Sequence, residues 1–320
     1  MDATAPTLRK RCTLNLALQG GGAHGAFTWG VLDRLLEEPL LEFEGVSATS
    51  SGAMNALALA QGSLEGGREG ARAALTLLWE KIAAQTSLIR WAFSTPAGAA
   101  SETVLLNLTR YFTPQEINPL RDIAASLFDF ESLRASPLRI FLAATRVRDG
   151  GLVVFDNARL SLDALLASAC LPQLFAPVQI DGEFYWDGGY AGNPALEPLI
   201  YECRSADILC VLVQPLEQSE PPQTARAIHD RIGELGFSTT FLRELETVRR
   251  AQKSLRRAFP LSWLGRRMKS LRIALIEPGE SLDAYSAKTR LNTRLGFLRN
   301  LRDIGRERAQ SWLDRQAAIA

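Results

Sequence analysis

Two units of strand, glycine-containing turn and helix occupy the first sixty residues, and this order constrains the fold more than any other feature of the sequence. Residues 13–18 form an apolar run that ends in three glycines, and a helical pattern covers residues 24–37. A second run, residues 45–49, turns at a Ser-Ser-Gly sequence into a helix rich in small residues. Such repeated units pack as parallel strands with helices on the faces. The sequence therefore predicts an α/β fold with a mostly parallel central sheet.

The rest of the chain has a less regular middle and a mainly helical end. Further strands are predicted at residues 140–145, 152–155, 208–214 and 271–276, and a hairpin at Asp181-Gly182. Apolar but irregular sequence predicts a cap of short helices at residues 85–130. Long helical patterns cover residues 224–259 and 295–318. We expect a core of residues 13–215 and a mainly helical C-terminal extension of residues 216–320 that contains one further strand.

Composition excludes several classes of protein. The 320 residues include 36 basic and 35 acidic side chains, and 47% are hydrophobic, which excludes a disordered chain and argues against a nucleic-acid partner. The four cysteines form no CxxC pair and the histidines are His24 and His229, so neither a disulfide framework nor a metal site is predicted. No apolar run approaches the ~18 residues that a spanning helix needs, and a cytoplasmic protein is expected.

Ser50 stands at the apex between the second strand and the helix that follows it. This is the position of a nucleophile elbow, in which a strained turn exposes the hydroxyl and the helix N-terminus stabilises developing negative charge. Ala48, Ser51 and Gly52 supply the small side chains that such a crowded turn requires. On this segment alone, Ser50 and Ser51 can equally well be helix caps.

The glycine loop of residues 20–25, Gly-Gly-Gly-Ala-His-Gly, allows two interpretations. It satisfies the G-x-G-x-x-G pattern of dinucleotide-binding proteins. That function expects an acidic residue at the end of the second strand to hold the ribose, and this strand ends in Thr-Ser-Ser-Gly. The alternative is that the three glycines let backbone N–H groups approach an oxyanion.

Asp187 follows an extended run and precedes Gly188 and Gly189. The two glycines would let the backbone turn and bring another group close to the carboxylate. Most Asp-Gly pairs are simply turns, and this segment alone favours that interpretation.

Together and in this order, the three segments resemble the sequence blocks of the patatin-like phospholipase family. The glycine loop matches the oxyanion block, Ala-Thr-Ser-Ser-Gly at residues 48–52 matches the nucleophile block, and residues 187–189 match the Asp-Gly-Gly/Ala block. The resemblance covers about residues 14–198. Two positions depart from it, because Ala48 replaces the usual glycine and His24 stands where the family often has arginine or lysine.

The resemblance implies a three-layer α/β/α sandwich without a cofactor or metal, and hydrolysis of carboxylic esters in phospholipids or related acyl lipids. It also implies a Ser-Asp dyad of Ser50 and Asp187, which suits a chain with two histidines. The implied oxyanion hole consists of backbone N–H groups, those of Gly20, Gly21, Gly22 and Ser51. The implied supporting glycines are Gly25, Gly52, Gly188 and Gly189.

Some alternatives stay open at this stage. An acyltransferase would use the same dyad with an alcohol or lysolipid as acceptor, whereas a lipid- or nucleotide-binding module would not react at Ser50. His24 is a competing base, but its place on the glycine loop favours a neutral imidazole or a surface position. His229 lies in a polar helical pattern and is expected to be solvated.

The stretch from Arg243 to Arg272 is strongly basic, with ten basic residues against Glu244 and Glu246. Apolar and aromatic residues lie between them, and Pro260 is expected to divide the helix into two pieces. This pattern predicts peripheral contact with an anionic membrane. A solvated helix face packed on the core is the first alternative, and nucleic-acid binding is a distant third.

Overall fold

One sheet of eight strands forms the centre of the fold. In this computed structural model, the described residues are 8, 10–93, 118, 120–216, 221–257, 259–279 and 287–319. The strands are β1 (Cys12–Leu18), β2 (Leu41–Ala48), β3 (Arg139–Arg146), β4 (Leu152–Phe155), β5 (Val178–Ile180), β6 (Glu183–Asp187), β7 (Asp207–Val211) and β8 (Arg272–Ile276).

The central strands of the sheet are parallel. The order is β5-β6-β3-β2-β1-β7-β8, with β4 paired to β3. β1 is parallel to β2 and β7, β2 to β3, and β7 to β8, whereas β4, β5 and β6 pair antiparallel. Asp181 and Gly182 join β5 to β6 with φ angles of 52° and 83°, the positive values that a tight two-residue hairpin needs. The predicted hairpin is confirmed.

The helices are α1 (Gly25–Leu36), α2 (Ser51–Phe93), α3 (Leu120–Leu127), α4 (Phe130–Arg134), α5 (Leu162–Ser168), α6 (Glu197–Glu202), α7 (Ala225–Leu255), α8 (Trp263–Ser270) and α9 (Leu295–Ile319). α2 contains non-helical backbone at Gly66 and Gly67, so the two helices predicted at residues 53–60 and 68–84 follow one another across a kink. Most of the predicted cap, residues 94–117 and 119, lies outside the described residues.

Side-chain alternation along the strands separates two apolar cores. Leu16 and Leu18 of β1 join a core with α1, α2 and α9, while Ala17 joins a second core with α6 and α7. Successive side chains of a strand point to opposite faces of a sheet, so helices cover both faces. The predicted three-layer α/β/α sandwich is confirmed.

The C-terminal part of the chain is built into this architecture. β8 extends the sheet beside β7, and α9 crosses α1 at two glycines. A Cβ atom on Gly30 would lie 1.8 Å from the carbonyl oxygen of Arg302, and one on Gly305 would lie 2.1 Å from that of Phe27. The two helices can approach this closely because neither glycine has a side chain. The division into a core of residues 13–215 and an extension of residues 216–320 stays a prediction.

Arg267 departs from the expectation for the basic stretch. It is 7% exposed, and its guanidinium donates hydrogen bonds of 2.8–3.0 Å to four backbone carbonyl oxygens, those of Leu199, Ile200, Arg204 and Ser205. Its inclusion among the residues that contact a membrane is therefore wrong, because the guanidinium fastens α8 to the end of α6.

The neighbouring apolar side chains are on the surface. Phe259, Leu261 and Trp263 are 90%, 84% and 53% exposed. α7 ends at Leu255 and α8 begins at Trp263, so the predicted division of the helix near Pro260 is confirmed. Within the described ranges, no helix is both long enough and apolar enough to cross a membrane.

Candidate active site

The three sequence motifs meet at one edge of the sheet. The glycine loop follows β1 and Ser50 follows β2, and these neighbouring parallel strands end side by side. Ala48 of β2 pairs with Leu142 of β3, and Asp187 at the end of β6 pairs with Ala144 of the same strand. The partner of Asp187 on β3 is therefore two residues beyond the partner of Ala48. Ser50 is likewise two residues beyond Ala48, so Ser50 and Asp187 lie at the same height along the sheet.

Ser50 has the backbone conformation of a strained turn. Its φ angle is 56°, in the left-handed region that serine rarely adopts. Its N–H donates to Ser168 Oγ at 3.0 Å, and the Gly52 N–H donates to the Thr49 carbonyl oxygen at 2.8 Å. These bonds hold the turn while α2 begins at the next residue, so the Ser50 side chain lies at the N-terminus of a long helix.

Close backbone contacts explain the small residues around Ser50. A Cβ atom on Gly20 would lie 2.6 Å from Ser50 Cβ, and one on Gly52 would lie 2.4 Å from the Leu18 carbonyl oxygen. Ala48 is fully buried in the strand before the turn. The glycine loop and the serine turn therefore touch, and larger side chains would push them apart.

Asp187 lies beside this turn and is fully buried. Its Oδ1 accepts the Gly189 N–H at 2.8 Å, while Oδ2 has no hydrogen-bond partner among the described residues. Burial raises the pKa of Asp187, the Gly189 N–H and the Ser50 hydroxyl oppose this effect in part, and the resulting pKa is about 7.

The glycines of the Asp187 motif also allow neighbouring segments to pack closely against the backbone. A Cβ atom on Gly188 would lie 2.2 Å from the Ala143 carbonyl oxygen, and one on Gly189 would lie 2.1 Å from the Phe237 ring. Gly25 has the same role on the glycine loop, where a Cβ atom would lie 2.6 Å from Ser51 Oγ. These contacts bring the three motifs together.

The backbone N–H groups of the predicted oxyanion hole are not equivalent. The Gly20 N–H donates to Asn193 Oδ1 at 2.7 Å, so its assignment to the oxyanion hole is wrong, because the donor is already used. The Gly21 N–H donates to Ser51 Oγ at 3.1 Å. Within the described residues, the N–H groups of Gly22 and Ser51 have no such partner. These two remain available to an oxygen bound near Ser50.

His24 is buried and engaged elsewhere. Its Nε2 shares a hydrogen bond of 2.8 Å with Thr289 Oγ1. Burial and, to a smaller extent, the positive charge of Arg290 lower the pKa of His24 to about 4. The imidazole is therefore neutral at pH 7, one of the two states that the sequence favours, and a surface position is wrong. The side chain of His229 is outside the part of the chain described in detail.

A cavity of about 420 Å³ opens at Ser50. The N-terminal and C-terminal parts of the chain both line this cavity. Gly21, Gly22 and Tyr190 come from the first part, and residues of α7 and of the segment Ala287–Leu291 come from the second. A larger space of about 880 Å³ lies at the opposite, amino end of the strands and contains none of the motif residues. Among the described residues, no three His, Cys, Asp or Glu side chains are grouped to hold a metal ion.

Several residues at the site escaped the sequence reasoning. Asn193 accepts from Gly20 and donates to the Phe237 carbonyl oxygen at 3.1 Å, which ties the glycine loop to α7. Ser168 and Gln214 likewise touch the motif segments. The sequence signal that could have identified Asn193 is the Gly-Asn-Pro sequence at residues 192–194, which closely follows the Asp187 motif. Gln214 and the residues of α7 have no local pattern that marks them.

Comparison with known proteins assigns the chain to a family. The family model described as patatin-like phospholipase matches residues 16–200, more than half of the chain, and includes all three motifs. No curated protein matches the chain significantly. Among solved structures, the crystal structure of VipD from Legionella pneumophila is similar, with a TM-score of 0.43, 15% sequence identity, and coverage of 97% of this chain and 68% of that one. The chain belongs to the patatin-like phospholipase family of lipid acyl hydrolases.

Proposed function

We propose that the protein is a serine hydrolase that cleaves carboxylic ester bonds of phospholipids or related acyl lipids, with Ser50 as nucleophile and Asp187 as base. The observation that supports this most directly is the strained turn at Ser50 beside a fully buried carboxylate with one unpaired oxygen. A carboxylate whose pKa is raised to about 7 is a much better base at neutral pH than an exposed one.

In the first step, Ser50 Oγ attacks the acyl carbonyl carbon and its proton moves to Asp187 Oδ2. The carbonyl oxygen becomes an oxyanion that accepts hydrogen bonds from the N–H groups of Gly22 and Ser51. Each such donor contributes about 3 kcal/mol to transition-state stabilisation in other oxyanion holes. The N-terminus of α2 adds its partial positive charge at the same place.

In the second step, the tetrahedral intermediate collapses, the ester C–O bond breaks, and Asp187 returns the proton to the leaving alcohol. The acyl group is then bound to Ser50 Oγ. Water attacks this acyl-enzyme while Asp187 accepts a proton from the water. In the collapse of the second intermediate, the bond between the acyl carbon and Ser50 Oγ breaks, Asp187 returns the proton to Ser50 Oγ, and the fatty acid is released. Each proton thus moves between Asp187 and an oxygen of Ser50, the leaving alcohol or water, and no imidazole is required.

The Gly21 N–H has a supporting function in this scheme. Its hydrogen bond to Ser51 Oγ ties the glycine loop to the first residue of α2. The donors at Gly22 and Ser51 are therefore held in a fixed relation before substrate binds, which is the condition for strong electrostatic stabilisation.

We further propose that the protein contacts anionic lipid through the exposed part of the basic stretch. Phe259, Leu261 and Trp263 are exposed and lie in sequence between Arg257 and Arg266, which are exposed as well. Aromatic and apolar side chains with surrounding cations suit the headgroup boundary of a bilayer. Since Arg267 is used inside the fold, it does not belong to this surface.

The decisive experiment for the catalytic proposal is intact-protein mass spectrometry after exposure to a fluorophosphonate. Wild-type protein should gain one adduct on Ser50, and Ser50→Ala should gain none. Ser63→Ala is the control, because it removes an exposed hydroxyl further along the same helix, away from the cavity, and should leave Ser50 reactive. Labelling of Ser50→Ala to the wild-type extent would refute the assignment. Product analysis on a phospholipid, with and without an alcohol acceptor, separates hydrolysis from acyl transfer.

A further inference from the structure

The cavity at Ser50 continues beyond the glycine loop to a wall made by residues outside the motifs. Gln214 follows β7, and Arg290 lies in the short helical segment Ala287–Leu291. Because β7 is beside β1 on the side away from β2, Gln214 lies about one strand spacing, ~5 Å, beyond the glycine loop as seen from Ser50. This wall is placed to contact a part of the substrate other than the ester under attack.

Gln214 offers an unused hydrogen-bond donor in this wall. The residue is 6% exposed, and its Nε2 has no hydrogen-bond partner among the described residues. A Cβ atom on Gly21 would lie 3.8 Å from that Nε2, which places the amide against the glycine loop. Gln19 Oε1 accepts the N–H groups of Val213 and Gln214 at 2.8 and 3.2 Å and so fixes the backbone. A buried donor without an acceptor is unfavourable, so a ligand acceptor is its natural complement.

Arg290 is the one charged side chain among the described residues that line the cavity. It pairs with Glu234 at 3.2 Å, and Glu234 also pairs with Arg231 at 3.3 Å. Two guanidiniums, those of Arg290 and Arg231, thus contact the same carboxylate. The Arg290 backbone is packed against the glycine loop, since a Cβ atom on Gly22 would lie 2.5 Å from its carbonyl oxygen.

We propose that Gln214 and Arg290 form a subsite for the phosphodiester of a phospholipid, next to the ester that Ser50 attacks. This inference rests on the proposed function. A phosphodiester has one negative charge and two non-bridging oxygens, which match a carboxamide N–H and a guanidinium. Charge-assisted hydrogen bonds of this kind are about twice as strong as neutral ones. A neutral acylglycerol would leave the same groups unpaired, which is how a polar site rejects a ligand that lacks the matching group.

The test compares dioctanoyl phosphatidylcholine with dioctanoylglycerol in micelles of a neutral detergent. The two lipids have the same acyl chains and differ in the phosphodiester head group. We expect Arg290→Met and Gln214→Met each to lower the ratio of kcat/KM values, phospholipid over acylglycerol, by about tenfold or more. Arg290→Lys should retain more of this ratio, because it keeps the charge. Wild-type ratios in Arg290→Met and Gln214→Met would overturn the subsite.

Gln173→Met is the matched control. Gln173 lines the same cavity, but its Nε2 already donates to the Tyr190 hydroxyl at 3.0 Å, so this variant should keep the wild-type ratio. An equal fall in Gln173→Met would overturn the proposal. If inorganic phosphate inhibits the enzyme while the variants keep the wild-type ratio, the wall binds a free anion and not the lipid phosphodiester. This result would also overturn the proposal.

Fluorophosphonate labelling of Ser50 in every variant reports whether the site is folded. If Arg290→Met is not labelled, Arg290→Lys and Gln214→Met decide the question. A labelled Ser50 with unaltered lipid ratios refutes the subsite alone. A wild-type protein that hydrolyses neither lipid and is not labelled refutes the proposed function, and the subsite with it.

Discussion

Residues 16–200 and residues 225–319 meet at one cavity but differ in what they bring to it. The first region contains Ser50, Asp187 and the glycine loop, which are fixed by backbone hydrogen bonds and close glycine contacts. The second provides Phe237 and Arg290 as walls, together with one strand and a long helix of the framework. The groups proposed to react thus all lie in the first region, whereas both regions line the cavity.

This difference shows which structural demands leave a mark in a sequence. At several positions of the first region, a Cβ atom would lie within 2.6 Å of a carbonyl oxygen, and Ser50 has a left-handed backbone conformation. Such positions require particular small residues at particular spacings. A wall requires only suitable size and charge, which many residues can supply. The first region is therefore recognisable by motif, and the second is not.

The largest expected effect tests whether chemistry belongs to the first region alone. Ser50→Ala, Asp187→Asn and the double variant should each lose activity by about 10³-fold or more, with similar and non-additive losses, because the two side chains share one proton transfer. The measurement is kcat/KM on a soluble short-chain ester. Substantial turnover by Asp187→Asn would remove the dyad, and a comparable loss in His24→Ala would shift the base to His24.

The pH dependence of activity tests the function of Asp187 in the first region. Asp187 must be ionised to act as base, and its pKa of about 7 lies above the ordinary value of 3.8. Activity should therefore rise about tenfold per pH unit below pH 7 and level off above it. A midpoint near 4 that moves in His24→Ala would point to the imidazole instead, whose pKa is about 4.

The same raised pKa predicts an opposite trend for stability. The folded protein keeps a proton on Asp187 that the unfolded chain releases near pH 3.8, so this contribution is complete below that pH and is lost as pH rises through about 7. Denaturant unfolding at pH 5 and pH 8 should show Asp187→Asn gaining stability relative to wild type at the higher pH. Equal differences at the two pH values would contradict the burial of an ionisable Asp187.

Arg267 tests whether the second region has a structural function. Arg267→Met removes a guanidinium that bonds four backbone carbonyl groups and should cost about 2–4 kcal/mol of unfolding free energy. Arg266→Met, at the exposed neighbouring position, is the control and should change stability by less than about 0.5 kcal/mol. Chemical denaturation measures both. Equal stabilities of the two variants would show that α8 does not depend on this anchor.

The smallest effect concerns the membrane surface of the second region. Reversing the charge of Arg256, Arg257 and Arg266 should weaken co-sedimentation with anionic vesicles by about tenfold or more at low salt, and the difference should shrink at high salt. Turnover of a soluble short-chain ester should not change. The control variant reverses three exposed arginines elsewhere, Arg121, Arg148 and Arg299. Equal loss of binding in both variants would show that the net charge of the protein, and not this surface, determines vesicle binding.

Sequence reasoning succeeded where local patterns determine the structure. Apolar runs and glycine turns predicted the parallel strands and the hairpin at Asp181, and the three motifs predicted which residues converge near Ser50. It failed for Gly20, whose N–H is taken by an asparagine 173 residues away, and for Arg267, whose acceptors lie on another helix. Both depend on tertiary contacts between distant segments, and nothing in their local sequence distinguishes a bonded donor from a free one.

The crossing of α1 and α9 has a consequence for how the chain matures during synthesis. α1 follows the glycine loop directly, and its apolar face remains uncovered until residues 295–319 have left the ribosome. Contacts between such distant segments form late, because the intervening chain must first be closed into a loop. Folding of the N-terminal part alone therefore leaves α1, the helix that follows the glycine loop, without its close contacts to α9. The nascent polypeptide can complete the packing of α1 only after residues 295–319 have been translated.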